Sequence, residues 1–120
     1  MQLIDIGINL AHASYDPDRD AVIARARAAG VDQMIVTGSD LASIARAVAL
    51  VHQYPGILSA TAGIHPHHAA THDAAASAAL RSWLARPEIS AAGECGLDYY
   101  RNYAPRQAQL ASFRAQLEIA

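Results

Sequence analysis

With 120 residues, 52% of them apolar and only 6% aromatic, the chain can bury one core and build one domain. Its formal net charge of -2 supplies no global basic field for nucleic acid, so such a partner would need a local site or bound cations. The lone cysteine, Cys95, excludes an internal disulfide, and no apolar run is long enough to span a bilayer.

Short β-branched runs alternate with Ala-rich helical stretches along the chain. The opening residues lack a basic run and a long apolar stretch, so they read as a first strand, and a cytoplasmic location is expected. Residues 3–9 form that strand, followed by a helix over residues 17–29 with Asp16-Pro17 at its start and Gly30 just past its end. A second strand over residues 33–37 leads through Ser39-Asp40 to a helix carrying Leu41, Ile44, Ala45, Val48 and Val51 at helical spacing. The third unit pairs residues 57–63 with a helix over residues 73–85, whose buried stripe is Leu80, Trp83 and Leu84. The fourth pairs residues 89–95 with a helix from Pro105, buried through Leu110, Phe113 and Leu117.

Strands joined by crossover helices are parallel. No Gly-rich phosphate fingerprint follows the first strand, which argues against a dinucleotide-binding sheet. Each unit takes about 25 to 30 residues, so four units match half of a TIM-type (β/α) barrel of eight. Residues 1–120 are thus expected to form the N-terminal half of one barrel domain. The final residues show no helix-stop signal, and a half-barrel leaves open edges, so the chain reads as incomplete. A half-barrel that self-associates is the alternative.

Alternation along the strands directs Asp5, Gly7 and Asn9 inward from the first, with Ile4, Ile6 and Ile8 against the helices. It directs Gln33, Ile35 and Thr37 inward from the second, Thr61, Gly63 and His65 from the third, and Ser90, Ala92 and Glu94 from the fourth. Asn9, Thr37, His65 and Glu94 then converge at the C-terminal mouth, where barrels carry their chemistry. An inward carboxylate is costly unless paired or metal-bound, and a divalent cation explains Glu94 beside His65 better than a structural ion pair. Cys95 reads as a small buried hydrophobe, and His12, His52, His68 and His72 as solvated. Arg25, Arg27, Arg46 and Arg81 read as partners in exposed ion pairs.

Three stretches carry a resemblance: Ile4-Asp5-Ile6-Gly7-Ile8-Asn9-Leu10, Ala62-Gly63-Ile64-His65-Pro66-His67 and Gly93-Glu94-Cys95-Gly96-Leu97-Asp98-Tyr99. Together with Val36-Thr37-Gly38 and the Arg101-Asn102-Tyr103 loop, they resemble the TatD family of metal-dependent deoxyribonucleases over essentially the whole chain. The resemblance implies a TIM-type barrel that hydrolyses DNA phosphodiesters, often as a 3′-to-5′ exonuclease acting on single-stranded ends. It implies one or two divalent cations, with Mg²⁺ or Mn²⁺ favoured and Zn²⁺ possible. Glu94 falls on the family's metal-ligating glutamate, and His65 and Asp98 fall on site-lining positions expected to contact substrate. Asn9, His67 and Arg101 are expected to help hold the phosphate.

Most members of the family open with two histidine ligands, where Gly7 and Asn9 stand here. The family's remaining ligands, two histidines and a late aspartate, fall beyond Ala120. The isolated chain is therefore expected to be inactive. Another amidohydrolase-type activity, on lactones or amides, and a non-catalytic fragment are the alternatives.

Overall fold

A computed structural model describes residues 2–120; Met1, counted above with the opening strand, lies outside the described residues. Four strands, β1 (Leu3–Ile8), β2 (Val31–Val36), β3 (Leu58–Ala62) and β4 (Ile89–Ala92), form one parallel sheet in the order β1-β2-β3-β4. Each is followed by a helix: α1 (Arg19–Ala28), α2 (Leu41–Gln53), α3 (Ala74–Leu84) and α4 (Arg106–Ile119). This is the four-unit portion of a (β/α) barrel that the alternation of elements predicts. Among the described residues no helix is long and apolar enough to cross a membrane.

The core lies between sheet and helices in two clusters. One joins Ile23 of α1, Met34 and Val36 of β2, Ala47 and Leu50 of α2, and Leu58 and Ala60 of β3. The other joins Ile44 of α2, Ala62 and Ile64 of the third unit, and Ala76 and Leu80 of α3, with Trp83 and Leu84 partly buried against it. Small side chains at Ala47, Ala60 and Ala62 let helix and strand approach closely, in line with the few aromatic residues. Helix α2 is capped by Asp40 and Ser43 in a reciprocal capping box, and α3 by Asp73, whose carboxylate accepts from the Ala76 amide.

Elsewhere the sequence reading needs correction. Helix α1 starts at Arg19 because residues Ala13–Tyr15 form a 3-10 turn ending at Asp16. Asp16 does not cap the helix but pairs with Arg19 at 2.5 Å, while the Arg19 guanidinium also donates to the Leu10 carbonyl.

Strand β1 does not alternate strictly. Register shifts set Ile4 beside Gln33, Asp5 beside Met34 and Ile8 beside Val36, so one extra residue lies between Asp5 and Ile8. Such a bulge reverses the facing of the residues before it. Ile8 packs on the core as expected, but Ile6 is 76% exposed and lines the barrel mouth. A similar shift in β4 pairs Thr61 with Ala91 and leaves Ala92 beside Ala62, which is on the helix side rather than inward.

Helix α4 departs most. Its buried residues are Gln109, Ser112 and Gln116, whereas Leu110 and Leu117 are exposed and Phe113 is half-buried. The reason is polar: α4 lies over the loops that leave β3 and β4, whose backbone groups have no strand partner and require hydrogen bonds from side chains.

Candidate functional site

Strand ends β2, β3 and β4 are fastened together by main-chain hydrogen bonds that continue past the regular sheet. Gly93 N donates to Ala62 O at 2.9 Å, Glu94 N to Gly38 O at 2.9 Å, and His65 N to Ser39 O at 2.8 Å. Two glycines permit this closeness. A Cβ on Gly38 would sit 2.4 Å from the Thr61 carbonyl oxygen, and one on Gly63 would sit 2.4 Å from the Gly93 carbonyl carbon.

At this rim the His65 Nε2 lies 3.5 Å from Glu94 Oε1. The imidazole is mostly buried, with 18% of the side chain exposed, and the carboxylate is 55% exposed. His65 Nδ1 accepts from the His67 amide at 3.1 Å. Burial pushes the His65 pKa down, against the opposing pull of Glu94. The neutral ring then carries its proton on Nε2, toward Glu94. Glu94 also lines a cavity of about 310 Å³ together with Asn9, Thr37, Thr61, Ile6 and Gly7.

A second cluster adjoins the first. The His65 and His67 rings meet edge-on with centroids 4.2 Å apart, and His67 Nε2 lies 2.7 Å from Asp98 Oδ2. The Tyr103 ring also packs on His67, tilted, with centroids 4.6 Å apart. The Asp98 carboxylate accepts from the Arg101 backbone N–H at 2.9 Å and receives a longer contact, 3.4 Å, from its guanidinium. The Arg101 N–H first, and then the His67 ring, hold the Asp98 carboxyl down at about 2. Most of the acceptor capacity of Asp98 is thus engaged inside the protein, whereas Arg101 remains 59% exposed.

Both clusters rest on α4. The Gln116 side chain accepts from Ile64 N at 2.8 Å and donates to Ile64 O at 3.0 Å, fixing the residue before His65. One heptad earlier, Gln109 accepts from Asp98 N at 2.8 Å and donates to Ala104 O at 2.8 Å. His72, expected to be solvated, bridges Ser112 and Ser77 at 2.7 and 2.9 Å, and its burial lowers its pKa. Neither glutamine was legible as a support residue. Their spacing with Ser112 on one helical face was the available signal.

Of the residues singled out from the sequence, Glu94, His65 and Asn9 thus meet at the rim, and His67, Asp98 and Arg101 form the adjoining group. Asp5 accepts from the Gly7 amide at 3.3 Å. Cys95 is half-buried, and burial raises its pKa so that the thiol stays protonated near neutrality. Arg25 pairs with Asp18 across 3.7 Å at the surface, but Arg46 lines a neighbouring cleft.

Among the described residues, no three His, Cys, Asp or Glu side chains gather closely enough to hold a metal ion. The polar groups lining the cavity at Glu94 are its carboxylate, the Asn9 amide and the Thr37 and Thr61 hydroxyls, which offer oxygen, with the His65 imidazole nitrogen beside the carboxylate. That chemistry fits part of the shell of a hard divalent cation, with further ligands needed to complete it.

The chain is 47% identical over 118 residues to a protein of Cronobacter turicensis named 3′-5′ ssDNA/RNA exonuclease TatD, covering 98% of this chain and 44% of the relative. A protein of the same name from Erwinia tasmaniensis is 42% identical, with 98% and 46% covered. The chain therefore spans less than half the length of these curated relatives. Among solved structures, the TatD homologue YJJV of Escherichia coli superposes with a TM-score of 0.87 at 29% identity, over 98% of this chain and 46% of that one. A TatD family hydrolase from Entamoeba histolytica gives 0.86 at 27% identity, over 97% and 44%. The family model described as TatD related DNase matches residues 4–120, and the chain belongs to that family.

Proposed function

We propose that the whole protein hydrolyses phosphodiester bonds in DNA, removing nucleotides from single-stranded 3′ ends with the help of a divalent cation. The observation that carries this reading is the pairing of Glu94 with His65 at an open, oxygen-lined rim. The names of the relatives, 3′-5′ ssDNA/RNA exonuclease, support the substrate class and polarity.

In this reading Glu94, with Asn9 beside it, holds part of the coordination shell, and Mg²⁺ or Mn²⁺ suits oxygen donors better than Zn²⁺. When bound, such a cation supplies positive charge against the phosphoryl oxygens and acidifies water. This chain's own residues orient the substrate. His65, neutral and with its Nε2 proton at the rim, donates to a phosphoryl oxygen that approaches Glu94. Asp98 fixes the His67 ring by its 2.7 Å bond, so His67 forms one wall of the phosphate path. Arg101, anchored at its backbone by Asp98, extends its exposed guanidinium toward a neighbouring phosphate. Asp98 thus acts through His67 and Arg101.

The test is Glu94→Gln in the whole protein, assayed on single-stranded oligonucleotide with Mg²⁺ or Mn²⁺. Loss of activity by about 100-fold or more is expected, since the neutral amide holds the cation less tightly and the positive charge at the reacting phosphate is lost with it. Undiminished turnover in that variant overturns the assignment.

A further inference from the structure

A cleft of about 540 Å³, larger than the cavity at Glu94, opens beside the rim between the loop after β1 and the start of α2. The two hollows share two lining residues, Asn9 and Thr37, so a ligand seated against Glu94 continues directly into the cleft. Its size falls within the range of small-molecule sites, roughly 300–1,000 Å³.

The walls have a definite chemistry. Tyr15 is half-buried and packed against the core, so one side of the cleft is an aromatic ring held in place from behind. His12 is oriented beside it by a 2.8 Å bond between Nδ1 and the Ser14 hydroxyl. On the opposite side Asp40 is engaged by α2, accepting from Ser43 N at 2.6 Å, and has His68 at 3.9 Å. Arg46 differs: it is exposed on α2, lines the cleft, and makes no ion pair within 4.0 Å among the described residues. An aromatic wall, several hydroxyls, the Asn9 amide and an Arg46 guanidinium without a close ion pair, set against an Asp40 carboxylate already bonded to α2, match a nucleoside with an attached phosphate. They match neither an apolar ligand nor a bare anion.

Resting on the nuclease reading above, we infer that this cleft is a nucleotide subsite. It takes the base and sugar of the nucleotide next to the phosphate at Glu94, with Tyr15 against the base and Arg46 on the following phosphate. Aromatic stacking tolerates every base, so the subsite grips single strands without reading sequence. A duplex end, with its bases paired, cannot present a base to Tyr15.

The experiment uses the whole protein and two cleft variants, Arg46→Ala and Ser14→Trp. The first removes the cation, and the second fills the cleft from an exposed loop position. Both are first checked by thermal unfolding. Deoxyadenosine 5′-monophosphate is titrated calorimetrically without metal, and exonuclease kinetics are measured on a single-stranded oligonucleotide. Both variants are expected to weaken nucleotide binding and to raise KM about tenfold, the effect of losing one charged hydrogen bond or one stacked base. Glu94→Gln, in contrast, lowers kcat. Nucleotide binding that the wild type lacks, or that both folded variants retain at full strength, overturns the subsite. If the wild type cleaves no DNA but binds nucleotide in a way both variants abolish, the subsite stands and the nuclease reading fails.

Discussion

Replacing Gln116 with Met tests whether the polar face of α4 is structural. Methionine has nearly the same length and shape, so the change removes hydrogen bonds without opening a large void. Two backbone groups lose their partners: Ile64 N, which donates to the side chain at 2.8 Å, and Ile64 O, which accepts from it at 3.0 Å. Gln116 is 4% exposed and Ile64 is 2% exposed, so water cannot replace either bond. An orphaned buried group costs about 1–3 kcal/mol, which gives about 2–6 kcal/mol for the pair. Against a typical total stability of about 5–15 kcal/mol that is a large fraction. Urea unfolding followed by circular dichroism should show a lower midpoint at unchanged slope. Leu117→Gln serves as the contrast, since Leu117 is 60% exposed and its replacement should stay within about 0.5 kcal/mol of the parent. A loss below about 1 kcal/mol for Gln116→Met would refute the argument that these bonds support the β3 loop.

Gly63→Ala sets a methyl group 2.4 Å from the Gly93 carbonyl carbon and 2.8 Å from the Glu94 carbonyl oxygen, so the chain at Glu94 must shift. The expected destabilisation is about 1–3 kcal/mol, measured as a fall in the urea midpoint, and the nuclease activity proposed for the whole protein should fall with it. Acidification below the ordinary histidine pKa of 6.5 should lower stability. The folded-state values of His65 and His72 lie below that figure, so the unfolded chain binds protons first. Their contribution is full above pH 6.5 and lost as pH falls through the lowered values, and thermal unfolding of His72→Gln should show a shallower decline. A separate acid limb belongs to Asp98 and to Glu88, which accepts from the Arg86 guanidinium at 2.9 Å before β4; both carboxyls are held at about 2. Their stabilisation is present above the ordinary carboxylate values, 3.8 and 4.5, and disappears toward pH 2, so Asp98→Asn should flatten that limb in a pH titration of unfolding.

Most of the architecture could be read from the sequence because burial and alternation coincide in β2 and β3. Leu58, Ala60, Ala62 and Ile64 turn to the helices as their spacing requires. The reading weakened where a single residue alters phase, since the extra residue in β1 brings Ile6 to the mouth and the shift in β4 turns Ala92 away from it. It failed for α4, where apolar residues were assigned to the core by type. Backbone groups of the β3 and β4 loops compete for the same face, and Gln109 and Gln116 can satisfy them whereas Leu110 and Leu117 cannot. At the site, Glu94, His65 and Asn9 were legible because strand ends converge in parallel barrels. The cleft was not, because His12 and Arg46 reach it from a loop and a helix, where no strand alternation directs the side chains.

The fastening of the strand ends has a consequence for how such a protein can change over time. Gly38, Ser39, Ala62, Gly93 and Glu94 are tied through main-chain atoms, which a new side chain leaves in place except where proline removes a donor or a Cβ at Gly38 or Gly63 meets the facing strand. Side chains elsewhere on this frame can be exchanged while their anchoring points stay put. Opening residues such as Gly7 and Asn9 can therefore drift in chemistry while the carboxylate opposite keeps its place.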